Sequence, residues 1–188
     1  MDDTDPEQLV RLVAAAAAGD QKAWRDIVER CTPRVHAVVR AQCRDDDLAE
    51  EIVQSAFCTV VQKLSEYQEG GRFEAWLLRI AMNRLRDEMR RRGRHAVSTD
   101  TSTMVEIAGV PERASSAGDL PGGRLAEALG RLSEADREII HLRHVGGLSF
   151  KEISAALDAP IGTLLARHHR ALKKMKDLLD QTPMEDRE

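Results

Sequence analysis

The sequence predicts an all-α protein of two small helical domains joined by a flexible linker. Three observations lead there. The 188 residues contain only 3% aromatics but many Ala, Leu, Glu and Arg, which lose little on entering a helix. Apolar residues recur at three- and four-residue spacing, with no sustained strand-like alternation. The stretch "VSTDTSTMVEIAGVPERASSAGDLPGG" lacks any period and is rich in Ser, Thr, Gly and Pro. It separates residues 1–95 from residues 124–182, with 96–123 as linker and 183–188 as tail. Each unit has a plausible domain size.

In the first unit, Asp20 is placed to cap a helix carrying Ala23, Trp24, Ile27, Val28 and Cys31 on one face. Pro33 is expected to break or restart it, with Val35, Val38 and Val39 continuing. Asp45 to Asp47 signal the next start. Leu48, Ile52, Val53, Phe57, Val60, Val61 and Leu64 then form an apolar face. After "SEYQEGGRF", the residues Phe73, Trp76, Leu77, Ile80, Ala81 and Leu85 mark another helix, which runs into an arginine cluster at Arg84 to Arg94.

The second unit is more sharply punctuated. Ser133 and Asp136 open a helix with Ile139, Ile140, Leu142 and Val145 inward, ended by Gly146-Gly147. Ser149 and Glu152 have capping-box spacing for a short helix to Leu157. Asp158-Ala159-Pro160 leads into a last helix, with Pro160 near its first turn. A short helix, a tight turn and a longer basic helix form the pattern of a helix-turn-helix. At about 100° per residue from Ile161, the residues Thr163, Arg167, Arg170 and Lys174 fall together as a cationic stripe. Ile161, Leu165, His168, Leu172, Met175 and Leu179 gather opposite, as the packed face, with His168 read as a core histidine. Cations on a helix usually form a solvated face. Here the stripe has almost no acids before Asp177, and Thr163 and Arg167 lie near the helix start, where recognition helices meet base edges.

The formal net charge of −4 conceals this local asymmetry. No apolar run approaches the roughly 20 residues a membrane span needs. The acidic N-terminus "MDDTDPEQLV" lacks the basic region of a signal peptide, so a cytoplasmic location is expected. Cys31, Cys43 and Cys58 have no disulfide-framework spacing. A zinc set of Cys31, His36 and Cys43 lacks close ligand pairs, so no metal or other cofactor is expected.

Several ordered motifs carry a family resemblance. The segment "LGRLSEADREIIHLRHVGGLSFKEISAALDAPIGTLLARHHRALKKMKDLL" resembles region 4 of a bacterial sigma factor. "GDQKAWRDIVERCTPRV", "LAEEIVQSAFCTVVQKL" and "FEAWLLRIAMNRLRDEMRRRGR" resemble the opening, the polymerase-binding helix and the promoter-melting helix of region 2. No region 3 intervenes, as in the extracytoplasmic-function (ECF) class. The resemblance implies a non-enzymatic factor that binds core RNA polymerase and directs promoter recognition and transcription initiation. It implies core-polymerase contacts at Glu50, Glu51, Gln54 and Phe57. It implies minus-ten contacts at Tyr67, Gln68, Arg72, Asn83, Arg84, Arg86 and Arg90. Thr163, Arg167, Arg170 and Lys174 would read the minus-thirty-five duplex. Promoter DNA and, as in many relatives, an anti-sigma protein are the other implied partners.

The chain departs from the family at Leu48, where an acid is frequent, at Leu165 and Ala166, where Lys then Ser are frequent, and at His168, usually aliphatic. Three rivals stand beside this reading. An ordinary helix-turn-helix regulator would share the second unit but would need a receiver or ligand-binding first unit, which no strand signal supports. An enzyme would need more than His141, His144, His168 and His169. A protein-only sigma mimic would show loss of DNA binding.

Overall fold

The computed structural model describes residues 6–67, 72–99 and 121–180. Those residues form eight α-helices, with no strand among them. The first unit holds α1 (Pro6–Ala17), α2 (Gln21–Cys43), α3 (Asp46–Lys63) and α4 (Phe73–Thr99). The second holds α5 (Pro121–Gly130), α6 (Glu134–Ile140), α7 (Phe150–Leu157) and α8 (Ile161–Asp180). Helix therefore continues past residue 95 and resumes at Pro121, so both helical units reach into the span assigned from composition to a linker. Neither α1 nor α5 was legible as a helix.

The caps follow the sequence. The Asp20 carboxylate accepts from the amides of Lys22 and Ala23, and that of Asp45 from Leu48. Ser133 caps α6 through the Asp136 amide. Ser149 and Glu152 make both halves of a capping box. Pro33 does not break α2, which is continuous across it. The ring sits on the exposed side, while Ile27, Cys31, Val35 and Val38 pack into one core on the other. Burial of that face outweighs the lost backbone bond, which costs roughly 3 kcal/mol in an isolated helix.

The two units share a core. Ile139, Leu142, Leu148, Ile153 and Leu164 of the second belong to the same buried cluster as Val38, Phe57, Leu77 and Leu85 of the first. A smaller cluster of Leu132, Ile140, Ala171 and Met175 lies within the second unit. After α6 the chain makes a π-helical turn, His141–Val145, that packs on α2. This turn leaves Val145 42% exposed instead of inward. A Cβ on Gly146 would stand 2.8 Å from the Leu142 carbonyl oxygen and 3.2 Å from the Val38 side chain. A side chain there would collide with the turn's own backbone and crowd Val38, so glycine suits this corner.

Polar contacts close the same seam. Arg34 of α2 pairs with Glu74 of α4 and donates from Nε to the Gly146 carbonyl at 2.6 Å. His141 Nδ1 lies 3.0 Å from Gln42 Oε1, both residues buried. An amide oxygen can only accept, so the ring carries its proton on Nδ1. Burial, with the nearby charges of Arg137 and Arg44, pushes His141 down to about 4.

Candidate polymerase and promoter interfaces

Helix α3 presents Glu50, Glu51 and Gln54 to solvent. Phe57 does not join them. It is 8% exposed and packs in the shared core, because it follows Val53 by four residues on the buried face. The exposed ridge continues instead through Cys58 to Val61, which is 55% exposed rather than inward. The sequence could have shown this. Asp47, Glu51, Gln54, Cys58 and Val61 follow one another at three- and four-residue steps, so Val61 ends an acidic and polar face.

A second ridge begins at Arg72, just before α4, and runs along α4 through Trp76, Arg79, Asn83, Arg86 and Arg90, again at three- and four-residue steps. It contains four of the expected minus-ten residues and adds Trp76 and Arg79. Tyr67 meets its start: the ring stacks on Trp76 at 4.6 Å between centroids and meets Phe73 edge-on at 5.7 Å. Gln68 lies outside the described residues. Arg84 points to the neighbouring helix and donates to Thr59 Oγ1 at 2.8 Å. Thr59 Oγ1 in turn donates to the Ser55 carbonyl at 3.0 Å.

The far end of the ridge meets the second unit. Arg86 donates to Asn83 Oδ1 and to Glu138 Oε1, both at 2.6 Å. Burial raises the Glu138 carboxyl above its ordinary value, while the Arg86 charge opposes the shift. The pair still forms a charge-assisted bond of the kind guanidinium groups make with phosphate. Farther along, Glu88 is held down to about 2 by hydrogen bonds from Arg91 and Arg92. Arg92 also reaches Asp45 at 3.3 Å.

Helix α8 is oriented differently from the sequence expectation. Its buried residues are Leu164, Ala171 and Met175. Ile161, Leu165 and Leu172, assigned to the packed face, are 42%, 46% and 40% exposed. Met175 is inward as expected, but Leu164, Ala171 and Met175 together centre about 60° around the axis from the middle of the expected face, so the inward direction is rotated by about that amount. Opposite it stand Gly162, Ala166, His169 and Lys173, with Leu165 and Arg170 alongside, all exposed. The expected stripe is thus a flank. Thr163 and Arg170 are exposed, but Arg167 is half-buried and close enough to Glu138 for its charge to act on that carboxyl. Lys174 donates to the Arg131 carbonyl at 2.7 Å.

His168 is half-buried rather than fully in the core. Its Nε2 lies 3.1 Å from His144 Nε2, and its ring meets Phe150 edge-on. Burial, then the charges of His144, Arg143 and His169, lowers its proton affinity. Arg143 sits over the Phe150 ring at 5.4 Å. Of the three cysteines, buried Cys31 is pushed up to about 12 by burial, and Cys43 donates to the Asp45 carbonyl. Among the described residues, no three His, Cys, Asp or Glu side chains converge as a metal site, and no helix is long and apolar enough to cross a membrane.

The chain has counterparts among known proteins. The sigma-70 region 2 family matches residues 27–95, and sigma-70 region 4 matches residues 122–175. The RNA polymerase sigma factor CarQ of Myxococcus xanthus is 34% identical over 89% of this chain and 95% of its own. The sigma factor RpoE of Bartonella quintana, solved in complex with the anti-sigma factor NepR, has a TM-score of 0.69. It is 27% identical over 86% of this chain and 99% of that one. CnrH, solved with the cytosolic domain of CnrY, also has a TM-score of 0.69, at 26% identity over 95% of this chain and all of that one. With an acidic helix face beside an arginine ridge in one unit, and a helix-turn-helix in the other, the chain belongs to the ECF RNA polymerase sigma factors.

Proposed function

We propose that this chain is a promoter-specificity subunit that binds core RNA polymerase in the cytoplasm and is not itself catalytic. The observation that carries the reading is the division of labour between the two units. The first pairs an acidic face on α3, suited to a basic partner surface, with an arginine ridge on α4 suited to a nucleic-acid backbone. The second presents a helix-turn-helix whose long helix, α8, has an exposed outward face.

In this reading Glu50, Glu51 and Gln54 meet core polymerase, with Val61 taking the apolar part first given to Phe57. Arg72, Arg79, Asn83, Arg86 and Arg90 follow the opened minus-ten strand. Tyr67 and Trp76 offer stacking surfaces for an unpaired base, an interaction worth roughly 1–3 kcal/mol in single-strand binders. Arg84 acts from the side, through its bond to Thr59. Helix α8 reads the minus-thirty-five duplex. Residues 1–95 and 124–182 act as the two functional units. The complexes of RpoE with NepR and of CnrH with CnrY support an anti-sigma partner here as well.

Run-off transcription with core polymerase on a library of genomic fragments tests the reading. Discrete, chain-dependent start sites are expected. Tight sequence-specific binding by the isolated chain, without stimulation of polymerase, would favour the ordinary regulator.

A further inference from the structure

We propose that α8 selects thymine methyl groups in the duplex element, through Leu165 assisted by Ala166. This rests on the sigma-factor reading and goes beyond it to base preference. The burial of Leu164, Ala171 and Met175 fixes which side of α8 faces inward. The opposite side of its first two turns is Gly162, Ala166 and His169, flanked by Leu165 and Arg170. Those turns are the part of a recognition helix that reaches base edges.

The chemistry of that face is unusual for a DNA-reading surface. Leu165 belongs to neither buried cluster and keeps 46% of its surface in water. Neither it nor Ala166 has a side-chain hydrogen-bond donor or acceptor. In the major groove only thymine offers an apolar group, its C5 methyl; guanine and adenine are read through hydrogen bonds. A Leu–methyl contact removes apolar surface from water on both sides. A guanine-reading Arg at this place would need no such partner.

Space and charge allow the approach. A Cβ added at Gly162 would meet nothing within 4 Å, so this outward position is open and carries no side chain to hold the duplex away. Arg170 and Lys173 are exposed beside the apolar pair, where phosphates flank a groove. Arg167, the residue otherwise best suited to guanine, is half-buried towards Glu138.

The test uses the full chain with core polymerase. Templates randomised across the duplex element are first selected by run-off transcription. Each enriched thymine is then replaced by deoxyuridine, which removes only the methyl group. At one or two positions the wild type should lose about three- to fivefold in transcription, the worth of burying about one methyl. Leu165→Ser should lose that sensitivity while binding core polymerase as before. Leu165→Lys should shift the selected base towards guanine. Enrichment without thymine, or equal deoxyuridine sensitivity in wild type and Leu165→Ser, would overturn the proposal and leave the sigma-factor reading intact. Failure to enrich any sequence, with no polymerase-dependent transcript, would overturn both.

Discussion

In α4 most of the cationic side chains past Arg79 are already engaged within the molecule, whereas the outward cations Arg170 and Lys173 of α8 stand in solvent. Arg84 is bonded to Thr59, Arg86 to Asn83 and Glu138, and Arg91 and Arg92 to Glu88. Arg170 and Lys173 on α8 are exposed. A duplex can therefore approach α8 without displacing anything at those two side chains. A single strand approaching the end of the α4 ridge must compete with a carboxylate supplied by the other unit. The shared core explains how this is held: α6 and α7 are packed against the first unit by buried aliphatic residues, and Glu138 rides on α6 beside them. The fold thus ties the Arg86 end of the α4 ridge to the second unit, a restraint that Arg170 and Lys173 of α8 do not share.

The largest effect should come from the shared core. Leu142 is fully buried and belongs to the cluster that spans both units. Leu142→Ala should cost about 2–5 kcal/mol in urea unfolding. The loss should appear in probes of both units, because one core serves both. A transition confined to the second unit would show that the units unfold independently and would weaken the restraint argument.

Removing the restraint itself should have a smaller effect. Glu138→Ala breaks the pair with Arg86, whose side chain is 29% exposed, and should cost about 1–3 kcal/mol. Binding of the isolated chain to a single-stranded minus-ten oligonucleotide should rise, since Arg86 is released. Unchanged oligonucleotide affinity would mean that Glu138 is a structural partner only.

Acid should loosen the seam through His141. Its folded value is about 4, against an ordinary 6.5. At neutral pH the ring is uncharged in both states and contributes nothing. Between about 6.5 and 4 the unfolded chain takes up a proton that the folded chain refuses, so stability falls as pH falls. Glu138 acts in the opposite sense, because its raised value lets the folded state bind a proton first. The pH slope of thermal unfolding should therefore flatten in His141→Gln across that window. An unchanged slope would assign the acid sensitivity to other groups.

Much of this was legible in the sequence because the signals are local. The four caps and the helix-turn-helix break depend on side chains that bond amides within three residues. What was lost depended on packing between helices. Pro33 was misread because the core behind it, not the helix alone, decides continuity. The π turn after α6, which periodicity does not show, turned Val145 outward. On α8, Ile161, Leu165 and Leu172 pulled the predicted face round although all three are exposed. Leu164 and Ala171 became inward only because partners in α6 and α7 meet them. Phe57 and Val61, by contrast, were open to a closer reading: Val61 continues the polar steps through Glu51, Gln54 and Cys58, while Phe57 follows buried Val53 by four residues.

The smallest expected effect separates position from charge within α4. Thr59 Oγ1 accepts from Arg84 and donates to the Ser55 carbonyl, so it ties α3 to α4. Thr59→Val keeps the volume and the branched shape but removes the acceptor. The donor it leaves behind, Arg84, is exposed and can turn to water, so stability should change by no more than about 0.5 kcal/mol. If Thr59 aims Arg84, promoter opening should slow several-fold while core binding and duplex selection stay as in the wild type. Arg84→Ala, which removes the charge as well, should slow opening further. Combining Thr59→Val with Arg84→Ala should then add nothing, because the hydroxyl has no arginine left to aim. Additive losses in the double variant would show that Thr59 acts by another route, and that α3 and α4 are not coupled through this bond.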